Sequence, residues 1–157
     1  MTLTIVYDIL GNFWLMSAAL SWLAAQLLKV LTGMFRERSF SILTLLFSTG
    51  GMPSSHTASV VALTTSIVIT QGVSSLAFAM SFLFSMVVMI DATGVRRETG
   101  EQAKILNQMM KQLFESKNSE EWNRTLKELV GHTPLQVIAG AGVGVAVPLI
   151  LWLTPWF

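Results

Sequence analysis

The sequence predicts an all-α protein: a polytopic membrane helical bundle of about four spanning helices, one short re-entrant half-helix and two amphipathic surface helices. Three observations carry this. Hydrophobic residues make up 52% of the 157 positions and charged residues only 12%, about half the share usual in soluble proteins. No charged residue falls between Ile9 and Leu28 or between Phe40 and Ile90, as a bilayer core requires. By contrast, fourteen of the nineteen charged residues crowd into Asp91–Gly131. The length fits one domain, 1–157, with 92–131 as a charged helical insertion at the membrane surface. Without cysteine there are no disulfides or thiolate metal sites, and no nucleic-acid partner is expected.

Ile9–Leu28 is a largely apolar run matching a hydrocarbon core, and Lys29 is expected to end it. Its start carries no basic region or small-residue cleavage site, so the run is expected to be retained. Trp14 suits the interface, while Asn12, Ser17, Ser21 and Gln26 are expected to face other helices rather than lipid. Ser39–Thr49 is apolar but too short to span at about 1.5 Å per residue. It reads as a half-helix entering and leaving one face; the alternative is a thin spanning helix extended through Gly51. Pro53–Thr70 and Val73–Ile90 read as two spans joined by a Gln71-Gly72 turn, both rich in small residues that allow close packing.

Within the charged stretch, Thr99-Gly100-Glu101-Gln102 has the form of a capping box. Ala103, Leu106, Met110, Leu113 and Phe114 follow at helical spacing. Ser119 is placed to cap a second helix bearing Trp122, Leu126, Leu129 and Val130, which Gly131 would stop. Pro134–Phe157 is the last span. Its Gly140-xxx-Gly144 pair predicts a close-packing face, with a homodimer through that face as one use of it.

The polar centre of the chain is Gly50–Thr57. Two glycines allow a sharp turn, Pro53 suits a helix opening, and Ser54 or Ser55 can cap the first turn. A helix N-terminus suits an anion, phosphate above all, and His56 beside it suits proton transfer to a leaving oxygen. His132 and Gln136 lie four apart, so a helix begun at Thr133-Pro134 would aim both one way. If Ser39–Thr49 is re-entrant, all ten Lys and Arg residues share one side with these polar loops, and the other side keeps only Asp8. Positive charge marks the cytoplasmic face, so both termini would point outward.

Lys29 and Arg36, separated by six residues, resemble the first motif of the type-2 phosphatidic acid phosphatase and vanadium haloperoxidase superfamily. Pro53-Ser54-Ser55-His56 resembles its second motif, and Gly131-His132-Thr133-Pro134-Leu135-Gln136 its third. With Asp91-Ala92-Thr93-Gly94-Val95-Arg96-Arg97 in addition, the chain looks like the small divergent membrane branch related to that superfamily, over about Leu28 to Gly140.

The resemblance implies a phosphatase acting on a lipid phosphate or prenyl diphosphate in the bilayer, without metal or cofactor. His132 would be the nucleophile forming a phosphohistidine, and His56 the acid and then base. Gln136 would orient His132. Lys29, Arg36, Ser54, Ser55 and an arginine at 96 or 97 would hold the phosphate. The setting implied is a bacterial-type inner or plasma membrane, with the site facing the cytoplasm. Four positions depart from the family pattern: Glu37 for proline, Ser55 for glycine, Leu126 for the arginine before the third-motif histidine, and Gln136 for an acid. Asp91, Glu98 and Glu128 are the carboxylates available to replace that acid. The departures favour a second reading, a lipid-phosphate-binding or scaffold protein of the same fold with weak or no turnover. A small transporter is a third reading, but the chain has no repeated halves.

Overall fold

The computed structural model describes residues 2–34, 51–114, 126 and 132–155. Among them there are six helices and no strand: α1 (Thr2–Leu10), α2 (Phe13–Met34), α3 (Ser55–Gln71), α4 (Leu76–Thr93), α5 (Val95–Phe114) and α6 (Pro134–Trp152). The half-helix expected at Ser39–Thr49 and the second surface helix expected after Ser119 lie outside the described residues. Among the described residues three segments are long and apolar enough to cross a membrane: Phe13–Thr32, Leu76–Gln112 and Pro134–Trp152.

The first span differs from its sequence-predicted bounds at both ends. Ile9 and Leu10 belong to a separate short helix. The Gly11 N–H closes that helix on the Tyr7 carbonyl at 2.8 Å, and Asn12 starts the next one by accepting the Leu15 N–H on Oδ1 at 3.0 Å. Asn12 is therefore a cap rather than a helix–helix contact. Lys29 does not end the run either. It sits inside α2, 5% exposed.

Helix α3 occupies the middle of the bundle, packed against α2, α4 and α6. Its composition explains the position. Apolar neighbours gain nothing from lipid exclusion, so membrane helices associate through small side chains and polar groups turned inward. Ser55, Thr57, Ala58, Ala62, Thr64 and Ser66 of α3 are all buried, and α2 buries Ser17, Ser21 and Ala25. Hydroxyls link the helices. Thr64 and Ser85 share a bond of 2.9 Å, and the Trp14 indole donates to Thr70 at 2.7 Å. Such bonds contribute about 0.6 kcal/mol each in membranes, so close van der Waals contact carries most of the cohesion.

The closest contact is between α6 and α3. A Cβ at Gly140 would collide with the Ser54 carbonyl oxygen, and one at Gly144 would lie 2.6 Å from the Ala58 carbonyl oxygen. The glycine face predicted for close packing is thus taken up within the chain. A homodimer through the same face would have to displace α3.

Helix α5 also differs from expectation. It starts at Val95, directly after Gly94, and runs through the Thr99-Gly100-Glu101-Gln102 stretch. Thr99 donates to the Val95 carbonyl at 2.9 Å instead of capping. Within this stretch Ala103 is buried but Leu106 is exposed.

Gly144→Leu should overpack the α3–α6 contact and lower stability by about 1–3 kcal/mol. At Gly142 a Cβ would meet nothing within 4 Å, so leucine there should change stability by no more than about 0.5 kcal/mol. Thermal unfolding of both variants in one detergent checks this, and equal midpoints would refute it.

Candidate functional site

The contacts between helices sort the loops onto two ends of the bundle. At one end Phe13 stacks against Trp152 and Trp14 meets Thr70. At the other end lie Lys29, the Gly51–Ser54 turn, the close of α4, and the His132 loop. Thr32 ties α2 to this end by donating to the Met52 carbonyl at 2.7 Å. The Ser54 N–H donates to the Gln136 carbonyl at 3.0 Å, and the His132 N–H to the Ala92 carbonyl at 2.9 Å. Lys29, Ser54, Ser55, His56, His132 and Gln136, all singled out from the sequence, therefore share one end.

Each is held by local chemistry. Gly51 has φ +97°, a conformation that excludes most side chains. A Cβ there would lie 3.1 Å from Lys29 Cγ. The turn thus lies over the aliphatic stem of the buried lysine. Ser54 caps α3, accepting the Thr57 N–H at 3.4 Å and the Thr57 hydroxyl at 3.0 Å. It is fully buried, so the hydroxyl expected to hold phosphate is enclosed by its own helix start. Ser55 is also buried. His56, in the first turn at the positive end of α3, is exposed.

At the start of α6, Thr133 and Gln136 form a reciprocal capping box behind Pro134. Gln136 Oε1 accepts the Thr133 N–H at 3.0 Å and lies 3.1 Å from His132 Nδ1. The Thr133 donor requires an acceptor, which fixes the amide with its oxygen toward the imidazole. In the neutral ring Nδ1 then carries the proton and Nε2 keeps the lone pair. A neutral Nε2 lone pair is what a nucleophilic histidine needs. The imidazole itself is buried, with 5% of the residue exposed.

Other expected residues are placed less fully. Arg36 lies outside the described residues. Arg96 and Arg97 fall in the first turn of α5, and Arg97 is exposed. Asp91 is half-buried in the last turn of α4, beside the Ala92 that holds the His132 backbone. Leu126 receives a two-pronged clasp from the Asn107 amide, both bonds 2.9 Å. Among the described residues no group of three or more His, Asp and Glu side chains is placed to hold a metal ion.

Sequence reasoning missed three contributors. Thr133 had a readable signal, since Thr-Pro-x-Gln is a capping box with proline at its first turn. The Ala92 carbonyl and the Met52 carbonyl, being backbone groups, had none.

The imidazole tautomer supplies a direct check. Long-range 1H–15N spectra at a pH where the ring is neutral should show His132 protonated on Nδ1. Gln136→Leu should shift the population toward the Nε2-protonated form usual for an unconstrained histidine. A wild-type ring protonated on Nε2 would refute the assigned orientation.

A family model described as the Divergent PAP2 family matches residues 10–147. A Bacillus subtilis (strain 168) relative described as "Uncharacterized membrane protein YuiD" is 38% identical over 155 residues, covering 92% of this chain and 96% of that one. No solved structure matches the chain. Matched over most of its length, the chain is a membrane protein that belongs to the Divergent PAP2 family.

Proposed function

We propose that this protein hydrolyses the phosphate of a lipid phosphate or prenyl diphosphate within the membrane, through a phosphohistidine. The observation that carries the reading is the pair of acceptor contacts on Gln136, which orients the His132 imidazole with its Nδ1 toward the amide oxygen. Family membership supports the same reaction class.

The steps follow from the residues. His132 Nε2 attacks phosphorus as the bond to the leaving oxygen breaks, and His56 gives that oxygen a proton. His56 then takes a proton from water, which displaces the imidazole and releases phosphate. Lys29, Arg36 and an arginine at 96 or 97 balance the charge on the phosphoryl oxygens. The N-terminal end of α3 adds favourable dipole charge. Ser54 caps the start of α3 and, with Ser55, stands where that helix end meets the phosphate. In this reading α2, α3, α4 and α6 each cross the bilayer, and all these groups work at its cytoplasmic interface.

One observation favours the second reading, lipid-phosphate binding without turnover. Gln136 orients the imidazole but carries no charge to stabilise its cationic form. Phosphate release separates the two readings. In detergent, wild type should release phosphate from at least one member of a panel of lipid phosphates and prenyl diphosphates, and His132→Ala from none. Gln136→Leu should lose about 10²–10⁴-fold, as orienting groups do. Gln136→Glu should match or exceed wild type. Binding of the panel without release by wild type would establish the second reading.

Topology has its own check. Cysteines at Arg97 and Gln71 should be labelled from the cytoplasmic and outer faces respectively. Labelling of both from one side would remove the four-crossing arrangement.

A further inference from the structure

Between α3 and α4 runs a groove of about 230 Å³ whose lining includes Thr64, Thr65, Val68, Phe82, Ser85 and Met89. Three of these six residues carry hydroxyls, yet the surface they present is hydrocarbon. Thr64 donates to the Val60 carbonyl at 3.0 Å and Thr65 to the Val61 carbonyl at 2.8 Å. Ser85 Oγ lies 2.9 Å from the Val60 carbonyl and 2.9 Å from Thr64 Oγ1, with which it shares a bond. Each hydroxyl is engaged by a backbone carbonyl or by the hydroxyl of the other helix, so the threonines offer methyl groups to the groove beside Val68, Phe82 and Met89. A water molecule there would have too few polar partners to stay.

The position of the groove matters as much as its chemistry. Met89 lies about one helical turn before Ala92, and the Ala92 carbonyl holds the His132 backbone. From Met89 the lining passes through Ser85 to Phe82, about 10 Å farther along α4. The groove thus starts just below the His132 end and leads into the apolar part of the bundle, beside the exposed Phe82.

We propose that this groove is the tail site of the substrate, holding one hydrocarbon chain of the lipid whose phosphate reaches His132. The proposal rests on the reading of the site as one for lipid phosphates. It adds that the chain is fixed in register by the α3–α4 groove, so chain length and structure select the substrate. A chain anchored this way meets Met89 with its first carbons and Phe82 and Val68 with later ones.

The test is photolabelling of the full-length protein in phosphatidylcholine nanodiscs. The probes are lipid phosphates with a diazirine at either a near-head or a far position of one chain, and a phosphocholine lipid with the same chains. Mass spectrometry maps the labelled residues. The near-head phosphate probe should label around Met89 and the far probe around Phe82 and Val68. The phosphocholine probe should show no such grading. Val68→Trp, which fills the deep end, should reduce labelling by the far probe about tenfold, the equivalent of about two buried methylene groups. Thr65→Val, the apolar replacement of the same shape, should leave it intact.

Labelling spread over the lipid-facing surfaces of α2 and α6, or identical for phosphate and phosphocholine probes, would overturn the tail site. These results need no turnover. Graded labelling without phosphate release would keep the groove and remove the hydrolase reading. Phosphate release with ungraded labelling would do the reverse.

Discussion

The close approach of α6 to α3 is the constraint on which the rest of the structure depends. Without side chains at Gly140 and Gly144, the two backbones meet at the Ser54 and Ala58 carbonyls. That depth lets the Ser54 N–H reach the Gln136 carbonyl. A helix pair held apart by ordinary side chains would separate the two histidine-bearing loops. Aliphatic surface gives little drive for helix association in lipid, so the fold relies on contact of this closeness.

The start of α6 combines a structural and a chemical task in one side chain. Gln136 closes the capping box and, with the same oxygen, faces His132. The box fixes where that oxygen sits, because Thr133 and Pro134 set the first turn. An imidazole oriented by a helix cap moves only if the helix end moves. That end is in turn held by α3 and by the last turn of α4. The arrangement shows how a neutral amide can do the orienting part of an acid's task while leaving the charge-balancing part to others.

Hydroxyl groups do the complementary work inside the bundle. Threonine and serine side chains on α3 and α4 either bond across the pair, as Thr64 and Ser85 do, or fold back onto their own helix. Folding back satisfies the hydroxyl and shows lipid only carbon. A helix as polar in composition as α3 can therefore sit at the centre of a membrane bundle and still border an apolar groove.

The sequence by itself determined the membrane class and the helical content. It also narrowed the cap to Ser54 or Ser55 and determined the turn at Gln71-Gly72, and it pointed to Lys29, His56, His132 and Gln136 as a set. These follow from composition, local backbone preference and motif spacing, which act over a few residues. Other features needed the tertiary structure. Thr99–Gln102 and Thr133–Gln136 have the same capping form, but only the second is a cap. The helix of the first already runs in from Val95, whereas Pro134 stands at a true beginning. Gly140 and Gly144 read as a close-packing pair, yet their partner is α3 and not a second chain. Ser54 and Ser55 are both of capping type, and the backbone placed Ser54 in the cap. Lys29 reads as the end of a span, and the turn at Gly51 covers it inside one. In each case the local signal was present, and its meaning was set by which segment, distant in sequence, came to lie against it.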